Sequence, residues 1–183
     1  VLDGDVIIGE GANPSSTVSL DGTKWPGLEF TTKSIEECHP ASYSTKERVE
    51  LMDAMGVAAQ IVYPNILGFG GQHTAKVDHE LRAACVRIFN DAMAEMQEES
   101  GQRIFPMAML PWWDAKESAA EIERAHAMGL RGININSDPQ THRGLDGEML
   151  PSLASTVWDP MWDAATPLNL PVDFRIGASD QMV

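Results

Sequence analysis

Apolar and polar positions along this chain alternate between two periods from Ser44 onward. Val49, Met52 and Met55 recur at helical spacing behind Ser44-Thr-Lys-Glu47, a capping-box pattern, and Gly56 supplies the stop. A short apolar run, Ala58 to Tyr63, then predicts a strand ended by Pro64-Asn65. The spacing of Leu81, Cys85, Ile88, Ala92 and Met96 predicts a long helix from Asp78 to Glu99, closed by Gly101. Phe105 to Leu110 reads as the next strand, although Pro106 inside it removes one ladder donor. A second capping box, Asp114-Ala-Lys-Glu117, opens a helix that runs to Met128 and stops at Gly129. Gly132 to Asn136 is a strand, and a polar Gly- and Pro-rich loop follows it. Asp159 as N-cap, with Pro160 at the first helical position, starts the last helix. Pro171 to Ile176 is the last strand.

This order predicts an α/β fold with parallel strands joined by helical crossovers. Residues 1–43 lack such a rhythm. Val6 to Ile8 could form a short strand, and Gly9 to Gly27 is rich in Gly, Ser, Asn and Pro. We expect a loop-rich N-terminal arm or insertion over 1–43 and a separate α/β unit over 44–183. Alternation alone also allows a doubly wound nucleotide-binding domain. However, the Gly-rich stretch Gly68-Phe-Gly-Gly-Gln72 lacks the Lys and Ser/Thr of a P-loop and the spacing of a dinucleotide fingerprint.

Composition narrows the partners. The chain has 183 residues and a formal charge of −14, which argues against a nucleic-acid partner. No apolar run approaches the ~20 residues of a membrane span, so no membrane partner is expected. The first residues carry neither an initiator Met nor a basic leader, so the true start is expected upstream, without a signal peptide. Cys38 and Cys85 show no paired motif and read as reduced thiols in a cytoplasmic protein.

Several segments match one family in order and spacing. Arg48 to Val57 (RVELMDAMGV) resembles the helix before the second strand of the amidohydrolase-2 metal-dependent hydrolases, relatives of aminocarboxymuconate-semialdehyde decarboxylase. Ile61 to Asn65 (IVYPN) resembles that strand. Arg103 to Pro111 (RIFPMAMLP) resembles the third strand, and Gly129 to Ile133 (GLRGI) the start of the fourth. Trp158 to Trp162 (WDPMW) and Leu170 to Ser179 (LPVDFRIGAS) resemble the fifth unit. The resemblance implies a (β/α)₈ TIM-type barrel, with this chain covering strands two to five, about half of it. It also implies a divalent metal, zinc first, at the C-terminal face of the strands. The implied reaction is metal-dependent hydrolysis or non-oxidative decarboxylation of a small, often aromatic, carboxylic acid. A half barrel leaves two strand edges unpaired, so it should pair with another copy, be completed by further chain or be unstable, and a homo-oligomer is the partner expected.

The candidate site residues follow from that face. Asn65, Trp112, Trp113, Asn134 and Asn136 lie at or just past strand ends and are expected to line a substrate pocket. In the family a metal-binding His usually sits where this chain has Arg175. A guanidinium has no lone pair to give a metal, so Arg175 is expected to bind a substrate carboxylate or to pair with Asp173. The histidines 39, 73, 79, 126 and 142 form no metal motif, and no nucleophile elbow occurs. No catalytic or metal-ligating residue is therefore assigned. The chain alone is expected to bind no metal and to be inactive. The alternative is a non-catalytic half-barrel module that has lost its metal.

Overall fold

The computed structural model describes residues 2–3, 6–7, 34–64, 67, 71, 74–75 and 77–174. Asn65, Arg175 and the Gly68–Gln72 stretch other than Gly71 lie outside the described residues, as does most of 1–33. Within the first segment, β1 (Leu2–Asp3) pairs antiparallel with β2 (Val6–Ile7).

The α/β unit begins with α1 (Thr45–Ala54). Ser44 occupies the N-cap but caps no backbone N–H; its hydroxyl donates to the Glu47 carboxylate. That bond holds the Glu47 carboxyl below its ordinary range. Arg48 ties the helix to the preceding 3-10 turn at Pro40–Ser42 by donating Nε–H to the Ala41 carbonyl at 2.6 Å. After the left-handed Gly56 (φ 70°), the chain enters β3 (Gln60–Val62).

The long helix α2 (His79–Glu99) is capped by Asp78, whose Oδ1 accepts from Leu81 N–H at 3.0 Å. Its buried face is partly turned from the one the spacing predicts: Cys85 packs on the core and Leu81 and Met96 are half-buried as expected, but the middle of the stripe is not. Ile88 is 68% exposed and Ala92 is exposed, whereas Val86 and Asn90 are buried and Phe89 and Met93 pack on the core. Both stripes obey i, i+3, i+4 spacing; the sheet selects the one carrying the bulkier Phe89 and an amide it can use.

The following strand is divided into β4 (Ile104–Pro106) and β5 (Ala108–Met109). β3 pairs with β4, and β5 pairs with β6 (Ile133–Ile135), which pairs with β7 (Val172–Phe174), all parallel. The division is a change of partner. Met107 N–H donates to Val62 on one side, and Ala108 N–H to Gly132 on the other, each at 2.9 Å. Pro106 therefore sits in the strand without breaking it. The crossover helices are α3 (Ala115–Ala127), capped by Asp114 as its sequence predicts, and α4 (Asp159–Ala165). Here the predicted cap moves: Asp159 is already helical, and Ser155 caps the 3-10 turn Thr156–Trp158 ahead of it.

Side-chain parity separates the two faces of the sheet. Val62 and Ile104 meet Phe89 and Met93 of α2, so their parity, which includes Ala108, Ile133 and Ile135, faces the helices. The opposite parity carries Met107, Met109, Asn134, Asn136 and Asp173. Parallel strands with helices layered on one face are the wall of a (β/α) barrel, seen here over part of its circumference.

Candidate active site

The C-terminal ends of β5, β6 and β7 bring a polar row onto the inner face. Met109, Asn134 and Asp173 are aligned across the three strands by register, with Asn136 one step nearer the mouth. Asn134 and Asn136 are fully buried. Asn136 has a fixed orientation: its Oδ1 accepts from Asp138 N–H at 3.0 Å. Its Nδ2, and Asp173 Oδ2, are buried without a hydrogen-bond partner among the described residues.

Trp112 is also fully buried, two residues past Leu110 in a tight turn closed by Trp112 N–H to Leu110 carbonyl at 2.8 Å. Gly71 has φ 76°, and a Cβ there would lie 2.9 Å from Met109 Sδ and 3.6 Å from Trp112 Cδ1. Only glycine lets this backbone approach so closely. The Trp112 ring centroid is 4.8 Å from that of His142, and its Nε1 has no acceptor among the described residues.

Trp113 is used differently. Its Nε1–H donates to Glu117 Oε2 at 2.9 Å, the Arg82 guanidinium lies 5.3 Å over its ring, and His79 meets it edge-on at 6.4 Å. His79 Nε2 also reaches Glu117 Oε1 at 2.6 Å. Trp113 thus joins the N-termini of α2 and α3, with the helices and not with the strand-end row. Burial weakens the hold of the Arg82 guanidinium on its proton, opposed by Asp78 and Glu117.

Sequence reasoning missed a second buried polar group behind the wall. Asn90 of α2 clasps the Met109 backbone: Nδ2–H donates to the carbonyl and Oδ1 accepts the N–H, both at 2.8 Å. Its Nδ2 also reaches Glu121 Oε1 at 2.6 Å. Arg124 pairs with Glu121 at 2.7 Å and with Asp91 at 2.5 Å, which strengthens its hold on its proton. An Asn between Phe89 and Met93 was the available signal. Among the described residues, no three His, Cys, Asp or Glu side chains converge as a metal requires.

The parallel strands and their crossover helices define part of an α/β barrel. The Amidohydrolase family model (Amidohydro_2) matches residues 36–182, and the chain belongs to that family. Among solved structures, 5-carboxyvanillate decarboxylase from Novosphingobium aromaticivorans, with bound manganese, is 26% identical with a TM-score of 0.54, over 68% of this chain and 32% of that one. A 2,6-dihydroxybenzoate decarboxylase from Rhizobium is 25% identical with a TM-score of 0.56, over 68% and 37%. The 4-oxalomesaconate hydratase of Rhodopseudomonas palustris shares the fold at 20% identity and a TM-score of 0.54, over 83% and 42%. The chain spans about a third of the length of the first two. Comparison with curated proteins returns no significant match.

Proposed function

We propose that the protein is a metal-dependent non-oxidative decarboxylase acting on a small aromatic carboxylic acid, with hydrolysis as the other reaction class of its family. One observation supports this most: the solved relatives at 25% identity or more include decarboxylases of ring carboxylates. A divalent cation in the complete enzyme would polarise the substrate; zinc is the sequence expectation, and the Novosphingobium relative holds manganese. Among the described residues no three His, Cys, Asp or Glu side chains converge. The part proposed for the described residues is recognition. The Trp112 and Asn136 N–H groups are donors that lack acceptors among the described residues. Leaving such a donor unpaired costs about 1–3 kcal/mol, so a substrate oxygen that accepts from it relieves that cost. Asn65 and Asn134 would orient the ring, and Arg175 would hold the carboxylate as a bidentate partner.

The second reading is a non-catalytic, self-associating module, favoured by Arg175 where the family usually has a metal-binding His. Both readings put the protein in a reducing, cytoplasmic setting with a homo-oligomeric partner; no described helix is long and apolar enough to cross a membrane. The test is turnover of 2,6-dihydroxybenzoate and 5-carboxyvanillate by full-length protein supplied with Mn²⁺ or Zn²⁺. We expect carbon dioxide release that EDTA abolishes and metal restores. Stoichiometric metal without turnover of either acid would sink the decarboxylase reading. Absence of bound metal from full-length protein would support the module.

A further inference from the structure

The helix side of the sheet carries a cleft of about 210 Å³ between α1, α2 and strands β3 and β4. Its lining is apolar where the sheet meets α2: Val62 and Ile104 on one side, Phe89, Met93 and Met96 on the other. Arg48 also lines it. The bond from Nε to the Ala41 carbonyl at 2.6 Å, and a longer one from Nη1 to Gln60 Oε1 at 3.5 Å, aim the guanidinium without neutralising it. Among the described residues no carboxylate forms an ion pair with Arg48. The adjoining carboxylate, Glu47, is taken by the Ser44 hydroxyl.

We propose that this cleft is a binding site for a small aromatic carboxylate, its ring against Phe89, Met93 and Met96 and its carboxylate on Arg48. Size, polarity and charge each narrow the ligand. An apolar cavity of about 150 Å³ is enough to hold a benzene ring, so this cleft takes one ring and a substituent. Thioether sulfurs favour the edges of aromatic rings over aliphatic surface. A guanidinium held in place loses little freedom on gripping a planar carboxylate. On a chain of charge −14, an anion needs such an anchored cation to settle anywhere. The cleft lies on the opposite face of the sheet from the Met109–Asn134–Asp173 row, and the proposal stands whether or not the protein is a decarboxylase.

Benzoate is the probe, titrated into EDTA-treated full-length protein by calorimetry and by chemical-shift mapping. Met93→Trp, which fills the cleft, and Arg48→Gln are each expected to weaken benzoate at least tenfold, whereas Ile88→Ser on the exposed face of α2 leaves the affinity unchanged. Benzyl alcohol, which lacks the charge, is expected to respond to Met93→Trp and not to Arg48→Gln. Because Arg48 also holds the turn at Ala41, Met93→Trp is the arm that stands if Arg48→Gln fails to fold. Benzoate binding unaltered by Met93→Trp, or no saturable binding to the native protein, would overturn the site. Loss on Asn136→Leu alone would move the anion to the strand ends and overturn it equally. Absence of turnover in the decarboxylation assay leaves every arm of this test readable.

Discussion

Asn90 shows how much one side chain can carry in this fold. Its amide satisfies both backbone groups of Met109 and reaches the Glu121 carboxylate. Asn90→Leu has similar bulk but strands a buried N–H and a buried carbonyl, at about 1–3 kcal/mol each. A loss of about 3 kcal/mol in urea unfolding is expected; a loss under ~1 kcal/mol would mean that water or backbone movement replaces the amide. Little of this could be read in the sequence, because a polar residue in an apolar stripe announces burial without naming its partner. The strand-end residues were more legible. Asn134 and Asn136 alternate with Ile133 and Ile135, and parity alone puts them together on the face away from the helices. Trp112 and Trp113 are adjacent and both buried, yet they part ways because Glu117 and Arg82 claim the second indole.

At the scale of elements, helices and strands stand where periodicity and caps predict them, and the discrepancies have physical causes. A stripe at helical spacing fixes that a face is buried, and α2 shows that it does not fix which of two overlapping faces. The division of the third barrel strand is a property of hydrogen-bond direction, invisible to a pattern of apolar residues. Register is equally invisible, and it brings Met107 over Gly132. A Cβ at Gly132 would lie 2.5 Å from Met107 Sδ and 3.4 Å from Pro171 Cγ. Gly132→Ala forces the Met107 thioether to shift, and because that is the end of a flexible side chain the expected cost is about 1 kcal/mol, the low end of the overpacking range. Met107→Ala, which removes the obstructing sulfur, should recover part of that loss in a double-mutant cycle. Additive losses would show that the crowding lies with the backbone instead.

For the whole molecule, the arrangement of strands leaves two flanks. Among the described residues β3 pairs only with β4 and β7 only with β6, and each flank carries a large apolar side chain in solvent: Ile61, 61% exposed, and Phe174, 47% exposed. Open parallel edges with apolar neighbours invite pairing with further chain. Ile61→Lys is expected to shift sedimentation toward smaller species if a second copy covers this flank. An unchanged sedimentation profile would show that the flank is not a self-association surface. The barrel class was legible because its units follow one another in a fixed order with helix-length spacing. Arg175 and Asn65, the outer members of the sequence-derived site, are tested by assay and not by geometry.

The clasp of Asn90 on Met109 has a consequence for the end of the strand. Met107 bonds to β3, and Met109, two residues on, points its backbone the same way. There it meets a helix amide instead of another strand. The β3–β4 seam is thus closed by backbone bonds as far as Met107 and by a side chain at Met109. At this seam the Met109 N–H and carbonyl are satisfied by a helix side chain, so losing that one amide would leave the end of the strand with two unpaired backbone groups.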